Sequence, residues 1–187
     1  MLLGLAGVTG TGKSYFKDRI VEKLNFEKLK IVTNREIRTG EKNNEDKIFV
    51  SNDELIDLKK ENKIGFDFEL LGNTHAYLKE ELFSNKNMVF EVHYNTIYDF
   101  KKACPNLKTI YIFPSDIEIA KQKTRERHLK PIVEEKRLLE IDEHYNRITT
   151  DKDLQSQFDY FIENSFDEKS TQKMLDLVSK ILKENNY

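Results

Sequence analysis

The stretch LLGLAGVTGTGKS, residues 2–14, decides the fold of this chain. Its first five residues form a short apolar run of the kind that makes a buried β-strand, and Gly7 then opens the pattern Gly-x-x-x-x-Gly-Lys-Ser. Between a predicted strand and a predicted helix, this pattern is typical of a phosphate-binding P-loop. Its glycines let the backbone N–H groups point at phosphate oxygens, and the next helix adds its positive end.

The P-loop predicts a nucleoside triphosphate site with ATP and Mg²⁺ as cofactors. Lys13 is expected to contact the β- and γ-phosphates, and the Ser14 hydroxyl is expected to be a Mg²⁺ ligand. The same loop serves ATPases, GTPases and kinases, so the loop alone does not determine the reaction. The residues predicted to bind the nucleotide phosphates are Gly7, Val8, Thr9, Gly10, Thr11, Gly12, Lys13 and Ser14.

The remaining chain alternates short apolar runs with longer amphipathic segments, which predicts an α/β fold with a five-stranded parallel sheet flanked by helices. The predicted strands are Leu2–Ala6, Leu29–Val32, Met88–Val92, Thr109–Phe113 and Tyr160–Ile162. The predicted helices are Lys13–Asn25, Tyr98–Ala103, Ile117–His128, Pro131–Thr149 and Glu168–Glu184.

Residues 33–86 interrupt this alternation. Lys47–Val50 and Gly65–Leu71 have the composition of short strands, and a helix over Asp53–Lys60 lies between them after cap residues at Ser51. We predict a single domain over residues 1–187, with a core of residues 1–32 and 86–187 and a small α+β insertion at 33–85.

Composition limits the partners. A formal net charge of −2 argues against nonspecific nucleic-acid binding, which needs a basic excess. The single cysteine, Cys104, excludes an internal disulfide and a Cys-rich metal site, and no segment approaches the ~18 apolar residues of a membrane span. We therefore expect a cytoplasmic protein with small nucleotide substrates, no nucleic-acid or membrane partner, and a monomeric or homodimeric state.

Several strings beyond the P-loop resemble the guanylate kinase family of P-loop nucleoside monophosphate kinases. TNREIRTGE at 33–41 and DKIFVS at 46–51 match, in spacing, that family's acceptor motif Ser-x-Thr-Thr-Arg-x-x-Arg-x-Gly-Glu and its Asp-Tyr-x-Phe-Val. The similarity continues through Gly72-Asn73, VFEV at 89–92, FPS at 113–115 and FDYFIEN at 158–164, so it covers nearly the whole chain.

This resemblance implies roles for four arginines. Arg35 and Arg38 would bind the acceptor's phosphate, with Arg38 also stabilising the transferring group, because guanidinium groups bind phosphate bidentately. Arg127 and Arg137 would be catalytic residues of a helical lid at about 121–140, although this basic segment could also be a solvated helix face. Asn164 would lie near the donor base or serve as an ordinary turn residue.

The acceptor-binding positions depart from the family pattern. Lys47 replaces the family's phosphate-binding Tyr, and Thr74-His75-Ala76-Tyr77 replaces Tyr-Tyr-Gly-Thr after Gly-Asn. Glu69 is the nearest counterpart of a guanine-binding Glu, and Glu91 and His93 stand where the family has two aspartates. The substrate-binding residues predicted here are Arg35, Arg38, Lys47, Glu69, Tyr77, Glu91 and His93. His93 could equally be a strand-end histidine bonded to a backbone carbonyl.

The sequence thus predicts ATP-dependent phosphoryl transfer to a small phosphorylated acceptor, with GMP favoured by the resemblance. Another nucleoside monophosphate or a phosphorylated sugar is an alternative, because changing several base-contacting groups should change the substrate. Two other hypotheses are a noncatalytic guanylate-kinase-like binding module and a hydrolysing ATPase or GTPase. The intact Lys13 and Ser14 favour an enzyme.

Overall fold

The computed structural model describes residues 1–37, 41–70 and 72–184. Arg38, predicted to bind the acceptor and to act in catalysis, lies outside the described residues. The strands are β1 (Leu2–Ala6), β2 (Glu27–Lys28), β3 (Ile31–Thr33), β4 (Lys47–Phe49), β5 (Ile64–Leu70), β6 (Asn73–Leu78), β7 (Met88–Glu91), β8 (Leu107–Pro114) and β9 (Tyr160–Asn164). The helices are α1 (Lys13–Leu24), α2 (Asn52–Lys60), α3 (Lys79–Leu82), α4 (Ile97–Ala103), α5 (Ile117–Arg125), α6 (Pro131–Thr150), α7 (Lys152–Ser156) and α8 (Glu168–Glu184).

A five-stranded sheet in the order β2-β7-β1-β8-β9 forms the core, and every pairing in it is parallel. Helices α1 and α8 cover one face, where Phe16 and Met174 join a buried cluster with Leu3 and Leu5 of β1. The other face packs against α4, α6 and α7. Strands covered on both faces are apolar along their whole length, as the sequence of β1 is. The predicted fold class is confirmed.

A second sheet in the order β4-β3-β6-β5 lies between β2 and β7 in the chain. Strands β3 and β4 are parallel, whereas β6 is antiparallel to both β3 and β5. Helix α2 starts with a capping box in which Ser51 and Glu54 bond each other's backbone N–H, and it buries Leu55 against Val32 and Ala76. This sheet with its helices is the α+β element that the sequence predicts.

The second sheet contacts the core through aromatic rings. Phe66 of β5 lies with its ring centroid 4.3 Å from that of Phe100, and Tyr77 of β6 packs edge-on to Phe90 at 5.2 Å. A fully buried Phe stabilises the fold by roughly 1.5–3 kcal/mol, and favourable ring pairs add to this. These contacts hold the second sheet over the carboxyl end of β7.

One predicted core strand, Leu29–Val32, is wrong. The edge strand of the core is Glu27–Lys28, and Leu29 extends it with one hydrogen bond from its N–H to the Val89 carbonyl. The chain then leaves the core, and Ile31–Thr33 pairs within the second sheet. Leu29 and Val32 are both buried, but in different apolar clusters. The apolar run Leu29–Val32 therefore contains the point at which the chain passes from the core sheet to the second sheet.

The lid segment differs from its prediction at one boundary. Helix α5 ends at Arg125, three residues before the predicted end at His128, and His128 adopts a left-handed φ of 50°. Pro131 then starts α6 at a first-turn position, where the missing N–H has no intrahelical acceptor. The division of the chain into core, insertion and a lid at about 121–140 stays a prediction.

Across residues 1–37, 41–70 and 72–184, none of the helices combines the length and the apolar character needed to cross a membrane.

Candidate active site

The loop at residues 7–12 follows β1 at the carboxyl edge of the core sheet. Gly10 and Gly12 have φ angles of 86° and 87°, a region that strains other residues. A Cβ added to Gly10 would lie 2.2 Å from the Ala120 carbonyl oxygen, so α5 packs directly on the loop. Thr11 closes the turn by donating its backbone N–H and its hydroxyl to the Val8 carbonyl. The glycines are thus needed for both curvature and close packing.

Lys13 reaches back over the loop. Its Nζ donates to the carbonyl oxygens of Gly7 and Val8, each at 2.9 Å. Burial lowers the pKa of Lys13; Glu91 opposes this shift, and the positive charges of Arg127 and Arg137 add to it. The cations predicted for the donor site therefore act on one another in the structure, although their residues are far apart in the chain.

Ser14 and Glu91 meet beside Lys13. The Ser14 hydroxyl donates to Glu91 Oε1 at 2.8 Å. Burial opposes ionisation of Glu91, but the charges of Lys13 and Lys17, together with the Ser14 hydrogen bond, hold its pKa below the ordinary value. A hydroxyl and an ionised carboxylate are hard oxygen ligands that suit Mg²⁺, so this pair fits the metal predicted for Ser14.

Mg²⁺ at this position would need most of its ligands from phosphate and water. Among the described residues, no group of three or more His, Cys, Asp or Glu side chains could hold a metal. Mg²⁺ usually keeps several waters and takes few protein ligands when it accompanies phosphates. The donor set of Ser14 and Glu91 agrees with that mode of binding.

A cavity of about 1400 Å³ extends from the P-loop to the second sheet. Its lining includes Lys13, Ser14, Arg127 and Arg137, the residues predicted to contact the donor triphosphate or its Mg²⁺. The predicted acceptor residues that line it are Arg35, Lys47, Tyr77, Glu91 and His93. Among the predicted site residues that the structure describes, three do not line it: Val8, Thr11 and Glu69.

Each of these three residues has a structural contact instead, and that of Thr11 closes the turn of the loop. Val8 packs on Ala120 and Ile141 beneath the loop. Glu69 of β5 accepts a hydrogen bond from the Thr74 hydroxyl on β6, which ties the two strands together. The predicted contact between Glu69 and a base therefore has no support from its position.

Arg35 and Lys47 converge on one carboxylate. The two terminal nitrogens of Arg35 donate to the oxygens of Glu41 at 2.9 and 2.7 Å, and Lys47 Nζ lies 3.2 Å from Glu41 Oε1. The Arg35 guanidinium also lies over the Phe49 ring at 5.1 Å. Two cations that chelate a carboxylate in this way present the donor pattern that a phosphate group needs.

Tyr77 and His93 form the apolar side of the acceptor end. Tyr77 is only 2% exposed, and burial raises its pKa strongly. His93 stacks on Tyr94, and its Nδ1 accepts the N–H of Asn95 at 3.3 Å. Burial also lowers the pKa of His93. Because Nδ1 accepts the Asn95 N–H, a neutral His93 ring carries its proton on Nε2, which is then a hydrogen-bond donor.

The predicted lid arginines lie on either side of the α5–α6 turn. Arg127 is exposed and follows the end of α5, whereas Arg137 on α6 bonds Glu140 at 2.6 Å. Asn164, at the end of β9, has both amide atoms engaged: Nδ2 donates to the Thr11 carbonyl and Oδ1 accepts the Phe166 N–H. Asn164 lines the cavity but also supports the loop.

Sequence reasoning missed three side chains that shape the cavity. Lys17 lies one helical turn after Lys13, and this spacing was a signal for a shared face. Asp46 pairs with Lys17 at 3.1 Å. His144 is buried, its ring centroid lies 3.6 Å from that of Tyr94, and its Nε2 lies 3.2 Å from the Tyr111 hydroxyl. The last contact joins α6 to β8, which no local pattern reveals.

His144 predicts a pH dependence of stability. Burial, followed by the charge of Lys13, lowers its pKa to about 3 from an ordinary value of 6.5. As pH falls from 6.5 to 3, the unfolded chain therefore gains a proton that the folded chain does not take up, and stability is lost. The slope from this group approaches about 1.4 kcal/mol per pH unit. Urea unfolding at several values between pH 7 and 4 measures it.

His144→Gln should flatten this decline, because glutamine does not titrate. The matched control is His128→Asn, since His128 is exposed and its left-handed backbone accepts asparagine. Equal slopes for the wild type and His144→Gln would contradict the assignment.

A family model described as guanylate kinase matches residues 2–181. The chain belongs to the guanylate kinase family. The guanylate kinase of Rickettsia prowazekii is 30% identical over 133 residues, which are 68% of this chain and 67% of that protein. The guanylate kinase of Lactobacillus johnsonii is 30% identical over 66% of this chain and 63% of its own length. That of Bacillus subtilis is 26% identical over 95% of this chain and 87% of its own length.

Solved structures support the same fold. A guanylate kinase from Anaplasma phagocytophilum superposes with a TM-score of 0.70 at 21% identity, covering 99% of this chain and 85% of that one. A shikimate kinase from Acinetobacter baumannii gives a TM-score of 0.50 at 17% identity, over 97% of this chain and 93% of its own. The P-loop kinase architecture is therefore shared beyond the guanylate kinase family.

Proposed function

We propose that this chain is a kinase that transfers the γ-phosphoryl group of ATP to the phosphate of a nucleoside monophosphate, with GMP as its preferred acceptor. The observation that carries the proposal is the continuous cavity with Lys13 and Ser14 at one end and the paired cations Arg35 and Lys47 at the other. A hydrolase needs one phosphate site, whereas transfer between two phosphorylated molecules needs two that face each other. Family membership makes GMP the first acceptor to test.

At the donor end, the loop N–H groups and Lys13 would hold the triphosphate, and Ser14 with Glu91 would hold Mg²⁺. Bound Mg²⁺ would neutralise charge on the phosphate oxygens. Lys13 Nζ donates to the Gly7 and Val8 carbonyls, and these bonds confine its ammonium to the phosphate-binding loop. A placed cation needs little reorganisation during transfer.

At the acceptor end, we propose that the phosphate of the nucleotide replaces the Glu41 carboxylate on Arg35 and Lys47. A phosphate group accepts the same two parallel hydrogen bonds from a guanidinium as a carboxylate does. As a dianion it also carries more negative charge, so it competes well with the carboxylate. Arg38 is proposed to join this site and to stabilise the transferring group. The acceptor phosphate would then face the γ-phosphate along the cavity.

Arg127 and Arg137 are proposed to complete the donor end when the α5–α6 segment closes. Both line the same cavity as Lys13 and add to the lowering of its pKa, so closure would bring their charges to the transferring group. Closure would also exclude water, which otherwise competes with the acceptor. These two arginines and Lys13 form the proposed catalytic set together with Arg38.

At the base end, Tyr77 and His93 are the residues proposed to contact the acceptor, and Glu91 is proposed to lie between the acceptor and the Mg²⁺ that it holds with Ser14. The Nε2 N–H of His93 suits a carbonyl oxygen or ring nitrogen of a base, whereas a carboxylate would suit a base N–H. His93 places this donor where the family pattern has an accepting carboxylate, which favours a second candidate, in which another nucleoside monophosphate is phosphorylated in preference to GMP. Asn164 is proposed to lie near the donor base while it supports the loop.

A coupled assay of ADP release over GMP, AMP, CMP, UMP and a sugar phosphate tests the proposal. We expect the highest kcat/KM for GMP and no turnover without an acceptor. Preference for another monophosphate would establish the second candidate. Turnover that is independent of any acceptor would indicate a hydrolase, and phosphopeptide binding without Mg-ATP affinity would indicate a binding module; either result would overturn the proposal.

A further inference from the structure

Lys17 is a buried lysine in the cavity that the proposed phosphate contacts do not use. It lies on α1 one turn after Lys13, and its side chain is only 7% exposed. Lysine side chains are rarely buried to this degree unless they are paired, because removing a charge from water is costly. A lysine buried at this position therefore needs an acidic partner.

Two acids from different parts of the fold supply the pairing. Lys17 Nζ lies 3.1 Å from Asp46 Oδ2 and 3.3 Å from Glu91 Oε1. Asp46 comes just before β4 of the second sheet, and Glu91 is the last residue of β7. The same Glu91 oxygen accepts the Ser14 hydroxyl. Asp46 Oδ1 also pairs with Lys28 at 3.0 Å. Lys17 thus joins the second sheet to the Ser14–Glu91 pair.

The geometry indicates two effects of this lysine. Its charge beside Glu91 reduces the net negative potential at the oxygens that would hold Mg²⁺. Its bond to Asp46 fixes the start of β4, where the neighbouring Lys47 enters the acceptor site. The first effect depends only on charge, whereas the second depends on the link to Asp46.

We propose that Lys17 is a positioning residue that acts through Glu91 and Asp46, setting Mg²⁺ affinity at the donor end and aligning the acceptor sheet with it. The inference rests on the proposed function for the acceptor, but its Mg²⁺ part stands without any acceptor. Lys17 makes no contact with a reacting atom in this proposal.

The test compares Lys17→Met, Lys17→Arg and Asp46→Asn by two measurements. Calorimetry of a nonhydrolysable ATP analogue at graded Mg²⁺ gives the metal dependence of binding without turnover, and steady-state kinetics give the acceptor KM. Lys17→Met should lower the Mg²⁺ concentration for half-maximal analogue binding by about 3- to 10-fold, because a nearby positive charge is lost. It should also raise the acceptor KM by about 10-fold.

The other two variants separate charge from linkage. Lys17→Arg should show the same Mg²⁺ dependence as the wild type, because arginine keeps the positive charge. Asp46→Asn should raise the acceptor KM by a factor similar to that of Lys17→Met, but it should not lower the Mg²⁺ concentration for half-maximal binding, because it removes a negative charge. In the double variant Lys17→Met/Asp46→Asn, the acceptor KM should rise no further than in either single variant, because both substitutions break the same ion pair.

An unchanged Mg²⁺ dependence in Lys17→Met, or a fully additive double variant, would overturn the proposal. If Lys17→Met fails to fold, Lys17→Gln, which also removes the charge but keeps a polar end, takes its place in both measurements with the same expected results. If the wild type phosphorylates none of the acceptors but Lys17→Met shows the Mg²⁺ shift, the proposed function fails while the role of Lys17 toward Glu91 holds.

Discussion

Replacing Lys13 with alanine is expected to lower kcat by about 10³-fold, the largest effect of any single substitution considered for this chain. The reason is that Lys13 is a confined cation at the donor end, and loss of one such group from a preorganised site costs two to three orders of magnitude. The fold should survive, because removing Lys13 also removes the cost of burying its charge, which is the main cause of its lowered pKa.

Single-turnover kinetics with saturating ATP and acceptor measure this loss, with thermal unfolding as the check on folding. Lys60→Ala is the matched control, since Lys60 is 71% exposed and pairs only across one helical turn with Asp57 among its described contacts. The control should retain wild-type kcat. Wild-type turnover by Lys13→Ala would show that the P-loop is not the donor site.

Arg127→Ala is expected to lower kcat by about 100-fold while the affinity for ATP changes much less. Arg127 is exposed in this structure but lines the donor end of the cavity, so its contacts with the transferring group should form mainly on closure. A group that acts mostly in the transition state affects kcat more than substrate binding. Arginines of this kind account for large factors in phosphoryl transfer.

Arg125→Ala provides the comparison for Arg127. It lies two residues earlier, at the end of α5, is also exposed, and does not line the cavity. Stopped-flow measurement of the transfer step, with analogue affinity from calorimetry, distinguishes chemistry from binding. Equal losses in the two variants would mean that the segment contributes only general positive charge.

The parts of the fold that a local pattern encodes could be predicted from the sequence. The P-loop needs its glycines within a few residues of one another, and Gly10 and Gly12 indeed have the left-handed angles that this loop requires. The capping box at Ser51 is equally local. Strands β1, β7, β8 and β9 are marked by apolar runs because both faces of the core sheet are covered.

The remaining features depend on contacts between distant residues. Leu29–Val32 has the composition of one strand, but two sheets divide it, and hydrophobicity does not identify the sheet that buries a side chain. The pairing of Lys17 with Asp46 joins residues 29 positions apart. The contact of His144 with Tyr111 spans 33 positions. Such neighbours are set by topology, so a single sequence contains no periodic signal for them.

The hydrogen bond from the Asn164 side-chain amide to the Thr11 carbonyl affects when the nucleotide site forms during synthesis. The side chain that braces the glycine loop follows it in the chain by 153 residues. Contacts of such sequence separation form late, because the intervening chain must first be ordered. A nascent chain that stops short of β9 would therefore contain the complete nucleotide-binding motif and still lack the support for its shape. Nucleotide-binding competence should appear abruptly once β9 docks.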